Sequence, residues 1–315
     1  VQALATLVPV FFALGLGFYA GKRGRVDNRQ PDALIAVLMQ FALPCSLFLG
    51  VASAPPAVLR SQLPLLLLLA LVMLATYGVM FWLARRVWHQ SLGEAAVLAL
   101  TVAFANNVAI GLPFLSSVEG AGGKLAVMSG IVAGALVVSP LTLVLLEFEV
   151  QSKGAITASR RSAVRRAITV SLRRPVILAP ALALLVPLTG HVLPAMMAAS
   201  LDVVGKATVG LALFLTGLIL SAQSFQLSPA TLLGLLLKNV LQPLLVFALL
   251  RVFLLHGPIA QQAVLLGCVP AGFFGSVFAA RYRIASADAG STLVLSTLLA
   301  AITLPLAVAL AAHIP

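Results

Sequence analysis

The sequence predicts an all-α integral membrane protein that crosses the bilayer ten times. Three observations carry that expectation. Hydrophobic residues make up 61% of the chain, charged residues only 9%, and the mean hydropathy is +1.12. A soluble domain carries about a quarter charged residues to solvate its surface, so a deficit this deep points to lipid as the main solvent. At 315 residues, the chain has room for ten spans of about 20 residues with short connections. The basic residues fall in the gaps between apolar runs, so the net charge of +12 reads as membrane topology and not as a nucleic-acid surface.

The apolar runs place the spans at Gln2–Gly21, Asp32–Ala52, Leu63–Ala84, Ala95–Ser117, Leu125–Leu146, Pro175–Leu188, Leu201–Ser221, Pro229–Leu255, Ile259–Arg281 and Ala285–Ala312. The first run has no basic stretch before it, and Lys22, Arg23 and Arg25 follow it, which argues against a signal peptide. The connections after the odd-numbered spans hold Lys22, Arg23, Arg25, Arg29, Arg85, Arg86, Lys153, Arg160, Arg161, Arg165, Arg166, Arg173, Arg174, Arg281 and Arg283. The other connections hold Arg60 and Lys124, and Arg251 lies near that same side. Fifteen against three predicts both termini on the non-cytoplasmic side.

The organisation follows from one polar interval. Residues 149–174 form a basic linker, expected on the cytoplasmic side against anionic lipid. It separates a first half, 1–148, from a second, 175–315, each with five spans. An odd number of spans per half means that the second half is inserted upside down. The halves also match in character. Span four reads Asn106-Asn107-Val108-Ala109-Ile110-Gly111 and is followed by Pro140; span nine reads Pro270-Ala271-Gly272-Phe273-Phe274-Gly275 and is followed by Pro305. Interrupted hydrophobic segments at corresponding positions of two inverted halves mark secondary transporters.

Those interruptions supply the candidate substrate site: Asn106, Asn107, Gly111 and Pro113 in span four, and Cys268, Pro270, Gly272, Gly275 and Ser276 in span nine. Proline removes a backbone donor, glycine lets backbones approach, and asparagine offers both donors and acceptors. Breaks near the midplane would turn helix N-termini toward a common cavity and favour an anionic ligand. Asp202 and Lys206 share a face of span seven at i, i+4 spacing. Two readings stand for them. Lys206 binds a carboxylate with Asp202 carrying the coupling ion, or the pair sits at the membrane interface. Gln40 interrupts span two and is a further candidate, whereas Lys238 in span eight is expected to snorkel to the surface. Cys45 and Cys268 lie in apolar runs and fit small packing residues better than a disulfide or metal site. No zinc-peptidase motif, phosphate loop or paired intramembrane aspartate is present, so an enzyme is not expected, nor a bound cofactor.

Several stretches together are familiar: Phe41-Ala-Leu-Pro-Cys-Ser-Leu-Phe48, Phe104-Ala-Asn-Asn-Val-Ala-Ile-Gly-Leu-Pro113, Leu201-Asp-Val-Val-Gly205 with Leu211-Ala-Leu-Phe214, Leu237-Lys-Asn-Val-Leu-Gln-Pro243 and Leu295-Ser-Thr-Leu-Leu-Ala-Ala-Ile-Thr-Leu-Pro305. In order and spacing, the chain resembles the auxin efflux carrier family, which includes plant PIN-type carriers and many bacterial transporters. The resemblance implies two inverted five-helix repeats whose fourth and ninth helices are broken and cross, a fold shared with bile-acid/sodium symporters. It further implies a bacterial inner-membrane carrier, a homodimer, and a small organic anion such as malonate as substrate. Asn106-Asn107 stands where many members have Asn followed by Thr or Pro, and Lys206 where small or polar residues are common. The coupling ion, proton or sodium, stays open at this level.

Overall fold

The computed structural model describes residues 2–28, 31–152, 169, 173–223 and 225–314. Among them the only regular secondary structure is helical, apart from one isolated bridge. The helices are α1 (Gln2–Lys22), α2 (Asp32–Ala52), α3 (Pro56–Ser61), α4 (Leu63–Arg86) and α5 (Leu92–Ala103). A π-helical turn (Asn107–Gly111) leads into α6 (Leu112–Leu136), followed by α7 (Val138–Ser152). The second half contains α8 (Pro175–Ala183), α9 (Leu185–Leu188), α10 (Ala195–Gly205), α11 (Ala207–Ala222), α12 (Pro229–Val252), α13 (Gly257–Gly267), α14 (Phe274–Tyr282) and α15 (Ala287–Ala311).

Among the described residues, six helical stretches are long and apolar enough to cross a membrane: Asp32–Ala52, Pro56–Arg86, Asn107–Val150, Ala195–Ala222, Pro229–Val252 and Ala287–Ala311. Shorter apolar helices cover Val8–Lys22, Leu92–Ala103 and Pro175–Leu188. The chain is therefore a multi-pass membrane protein. The basic linker expected at 149–174 lies mostly outside the described residues, and α7 runs into its start.

Three π-helical turns share one cause. They occupy Leu38–Ala42, Asn107–Gly111 and Leu237–Leu241, and each ends two residues before a proline: Pro44, Pro113 and Pro243. A proline ring clashes with the carbonyl four residues back, here in the middle of each turn, and widening the helix relieves that clash. The interruption expected in span two is thus a widened turn within a continuous helix. A further departure concerns span seven. Its helix starts at Ala195, because Pro194 holds extended geometry (φ −54, ψ 136) as the N-cap. Asp202 consequently lies two turns into α10 and not at its start.

Helix contacts sort into two groups. In one, α1 packs on α11, and α2 packs on α8, α10 and α11. In the other, α4, α5, α6, α7, α12, α13, α14 and α15 pack on one another. The main bridge between the groups is the Asn107–Gly111 turn resting on α11. The α1–α11 seam depends on two glycines. A Cβ at Gly17 would run into the Phe214 carbonyl, and one at Gly217 into the Leu14 carbonyl. Small residues are what allow transmembrane helices to gain packing energy in a solvent as apolar as themselves.

One end of the molecule gathers several loops. Asn28 donates to Ser221 Oγ at 2.8 Å, and the Asp288 carboxylate accepts from Gln90, Gln226, Ser228 and Thr231. Arg174 stacks on Phe278 at this end, and Tyr282 donates to Glu147. The basic residues Lys22, Arg85, Arg86, Arg173, Arg281 and Arg283 belong to the same loops and helix ends, so this is the basic end of the fold. At the opposite end, Gln62 bonds Gln262 and Ser129.

The α1–α11 seam gives a stability prediction. Gly17→Val should destabilise the protein by about 1–3 kcal/mol, because backbone and not a pliable side chain blocks the added carbons. Thermal melting in detergent measures it. Gly15→Val, where a Cβ meets open space, is the control.

Candidate functional site

The centre of the molecule is where two helices stop. The helix α5 ends at Ala103, and Phe104 turns to extended geometry (φ −92, ψ 101). The helix α13 ends at Gly267, and the chain resumes helical form only at Phe274. Both breaks expose backbone N–H and C=O groups at membrane depth, where none can be left unpaired in lipid. They pair largely with each other. Ala105 and Ala271 form an antiparallel bridge, Asn106 N donates to Pro270 O at 2.9 Å, and Gly272 N donates to Thr101 O at 3.1 Å.

Side chains close the remainder. Ala271 N donates to Ser296 Oγ at 3.0 Å, and Ser296 in turn donates to Asn239 Oδ1. Gln242 Nε2 donates to Ala103 O at 3.1 Å, and Lys238 Nζ donates to Gln242 Oε1 at 2.6 Å. The π-helical turn of α12 and its neighbour Gln242 therefore serve both breaks, Gln242 on span four and Asn239 on span nine. The rings of Phe104 and Phe274 stack at 4.7 Å across the junction. Gly272 has no alternative here, because its Cβ would collide with the Phe104 carbonyl.

Most of the sequence candidates converge at this crossing. Asn106 and Asn107 are 0% and 1% exposed. Asn106 Oδ1 caps the following helix by accepting from Ala109 N at 3.3 Å. Among the described residues, Asn106 Nδ2 and Asn107 Oδ1 have no hydrogen-bond partner. Asn107 packs between Gly111 and Gly130. Cys268, Pro270, Gly272 and Gly275 are buried in or beside the second break, with Gly275 tight against Thr101.

Two cavities flank the crossing on opposite ends. The one at the basic end, about 380 Å³, is lined by Ser276 and Val277 of α14, Ile35, Ile219, Gln223 and the start of α15. The one at the opposite end, about 690 Å³, is lined by Pro113 and Ser116 of α6, Ser46, Lys124, Asp202 and Lys206 among others. Lys206 and Asp202 form an ion pair at 2.5 Å, with their side chains 75% and 42% exposed. They stand in this open cavity, apart from the buried crossing. Gln40 is exposed on its π-helical turn and belongs to neither cavity lining.

The sequence reading of Lys238 is overturned. Its side chain does not snorkel; it is 1% exposed and turned toward Gln242 inside the helix group. The i, i+4 spacing of Lys238 and Gln242 marks a shared helix face in the sequence, but not that this face points inward. Asn239 and Gln242, which with Pro243 read in the sequence as interruptions of span eight open to cavity lining or helix–helix bonding, make helix–helix bonds at the crossing; Ser296 and Thr101 also belong to it and carry no such mark in the sequence.

This pairing of two discontinuous helices, sealed between cavities on opposite ends, defines a membrane transport protein. A family model described as "Membrane transport protein" matches residues 2–308. The chain thus belongs to that family, the auxin efflux carrier family that its motifs suggested. It is similar to the uncharacterized transporter YfdV of Escherichia coli K12, with 26% identity over 306 residues and 96% of each chain covered. YfdV from Escherichia coli O157:H7 and from Shigella flexneri aligns with the same identity and coverage.

Gly272→Ala should force the two breaks apart and lower stability by about 1–3 kcal/mol. Gly78→Ala, where a Cβ meets open space, should leave the melting temperature in detergent unchanged or raise it.

Proposed function

We propose that the chain is a secondary carrier that moves a small organic anion by alternating access, with the substrate at the crossing of the two broken helices. The observation that carries this reading is the pair of buried, unpartnered amide atoms, Asn106 Nδ2 and Asn107 Oδ1, at the junction of two helix starts. A buried polar atom without a partner costs about 1–3 kcal/mol; a carboxylate would accept from Asn106 Nδ2, whereas Asn107 Oδ1 is itself an acceptor and calls for a donor or a cation. Helix N-termini direct positive partial charge into the same place, which favours an anion.

The cavities support alternating access through ten crossings in two inverted repeats. The larger is built from the end of α2, the segment after the first break and residues 202–209, where α10 passes into α11. The smaller is built from the start of α2, the segment after the second break and the end of α11. Exchanging the halves exchanges the cavities. Each also lies between the two helix groups, so sliding one group past the other would open one cavity as it closes its counterpart. In this reading both termini face away from the cytoplasm, the α4–α7 and α12–α15 group carries the site, and Lys206 with Asp202 stands at the outer entrance.

The test is uptake by purified protein in liposomes across mono- and dicarboxylates, malonate first, with and without proton and sodium gradients. Saturable uptake with trans-stimulation is expected. Binding without flux would overturn the carrier reading, and flux without trans-stimulation would mark an uncoupled facilitator. Asn106→Ala should reduce uptake about tenfold, near the value of one hydrogen bond to a charged group, with membrane insertion intact. Lys206→Ala should raise the half-saturation concentration more than it lowers the maximal rate, because the residue lies on the approach and not at the crossing.

A further inference from the structure

Lys238 is a lysine sealed inside a membrane protein, and its burial calls for an explanation. Its described bonded partner is neutral, the amide oxygen of Gln242. An ammonium has three N–H groups to place, and the described hydrogen bonds satisfy one of them. A buried charge without a carboxylate is expensive, and intramembrane ionisable groups are retained where they act.

The titratable groups on the elements packed around it are engaged elsewhere, with one exception. On α4, Tyr77 bonds Thr142, and Arg85 and Arg86 lie at the basic end. On α5, Glu94 closes the capping box with Ser91. On α15, Asp288 is held by Gln90, Gln226, Ser228 and Thr231. On α12 itself, Arg251 stands in the last turn. The exception is Cys268, a buried free thiol in the second break. From Nζ the chain of contacts runs through Gln242 to the carbonyl of Ala103, the last residue before the first break. Lys238 is thus linked through Gln242 to the first break, and its neighbour Asn239 holds the Ser296 hydroxyl that bonds the second.

We propose that Lys238 couples a proton to anion movement: its amine nitrogen takes a proton when an anion occupies the crossing and returns it when the anion leaves. The proposal rests on the anion-carrier reading above. The step forms one N–H bond with a proton from the aqueous side to which the site is open, and breaks it toward the opposite side. No other reactant is needed. The anion supplies the countercharge that the described surroundings of Nζ lack, so proton and anion are bound together. Asp202 is less suited to this task, because it is already paired with Lys206 in an open cavity.

The experiment uses full-length protein in liposomes enclosing a pH-sensitive dye, with malonate and then the other carboxylates as probes. In the unmodified protein, anion uptake should acidify the lumen. Lys238→Met, permanently neutral, and Lys238→Arg, permanently charged, should lose the proton signal. Their net uptake should fall about tenfold or more, a barrier increase near 1.4 kcal/mol. Exchange of labelled for unlabelled substrate requires no net proton movement and should fall less. Proton movement per anion equal to that of the unmodified protein, in either variant, overturns the proposal. So does anion uptake without proton movement in the unmodified protein.

If no probe is transported, the carrier reading fails first, and Lys238 is judged by melting in detergent between about pH 5 and pH 9. A group that titrates in the folded state links stability to pH. The melting difference between the unmodified protein and Lys238→Met should therefore change across that range. A constant difference overturns the proposal. An apolar residue of similar length in place of a buried charge is compatible with folding, so the Met variant is expected to be available for this measurement.

Discussion

The fold depends on one exchange of backbone hydrogen bonds. Two helices end inside the membrane region, and the polar groups so released have no water to turn to. The strand-like contact of Ala105 with Ala271, flanked by Asn106 N to Pro270 O and Gly272 N to Thr101 O, lets each break satisfy the other. Neither break would be tolerable alone. This mutual dependence ties spans far apart in sequence into one helix group. It also explains the small residues there, since bulk at Gly272 or Gly275 would separate the two backbones.

Around that junction the fold supplies a graded polar environment. The carbonyl of Ala103 is answered by Gln242, and the amide of Ala271 by Ser296 with Asn239 behind it. These supports come from α12 and α15, whereas Asn106 Nδ2 and Asn107 Oδ1, the latter packed between Gly111 and Gly130, have no partner among the described residues. The crossing is therefore rigidly held from within its own helix group and incompletely satisfied at its polar amides. A site that must bind and release a ligand needs both properties: fixed geometry on one side, and polar groups whose satisfaction the ligand completes.

Much of this was legible in the sequence because membrane solvation leaves strong marks. Apolar runs located the helices, and Asn106, Asn107 and the Pro270–Gly275 stretch marked both breaks. Boundaries were less legible where a proline set them: Pro194 moved the start of span seven, and with it the environment of Asp202. Pro44, Pro113 and Pro243 signalled disturbance without revealing that each would produce a π-helical turn. Lys238 was misplaced for a different reason. Distance along the chain to a polar loop suggests snorkelling, but helix rotation decides which way a side chain faces, and rotation is set by tertiary packing. Gln242 and Asn239 stand out in the sequence as polar interruptions of span eight, but Ser296 does not, because nothing in a single sequence distinguishes a polar residue that bonds a distant backbone group from one that bonds its own helix.

The same packing argument bears on how the halves divide their work. The turn of α12 that holds Lys238, Asn239 and the approach to Gln242 exists because Pro243 forbids regular winding. A regular helix would rotate the residues before the proline relative to those after it. The widened turn keeps Gln242 facing Ala103 while Asn239 faces Ser296. One local distortion thus places a single ionisable side chain beside the supports of both breaks. In a carrier whose two broken helices must move together, a change of charge at that connection acts on both at once. Outside it, the ion pair of Lys206 and Asp202 lines the same open cavity as Leu112 and Pro113 at the start of α6. In the proposed carrier, control of access and control of charge would be carried by different lysines, one exposed at the entrance and one buried behind the site.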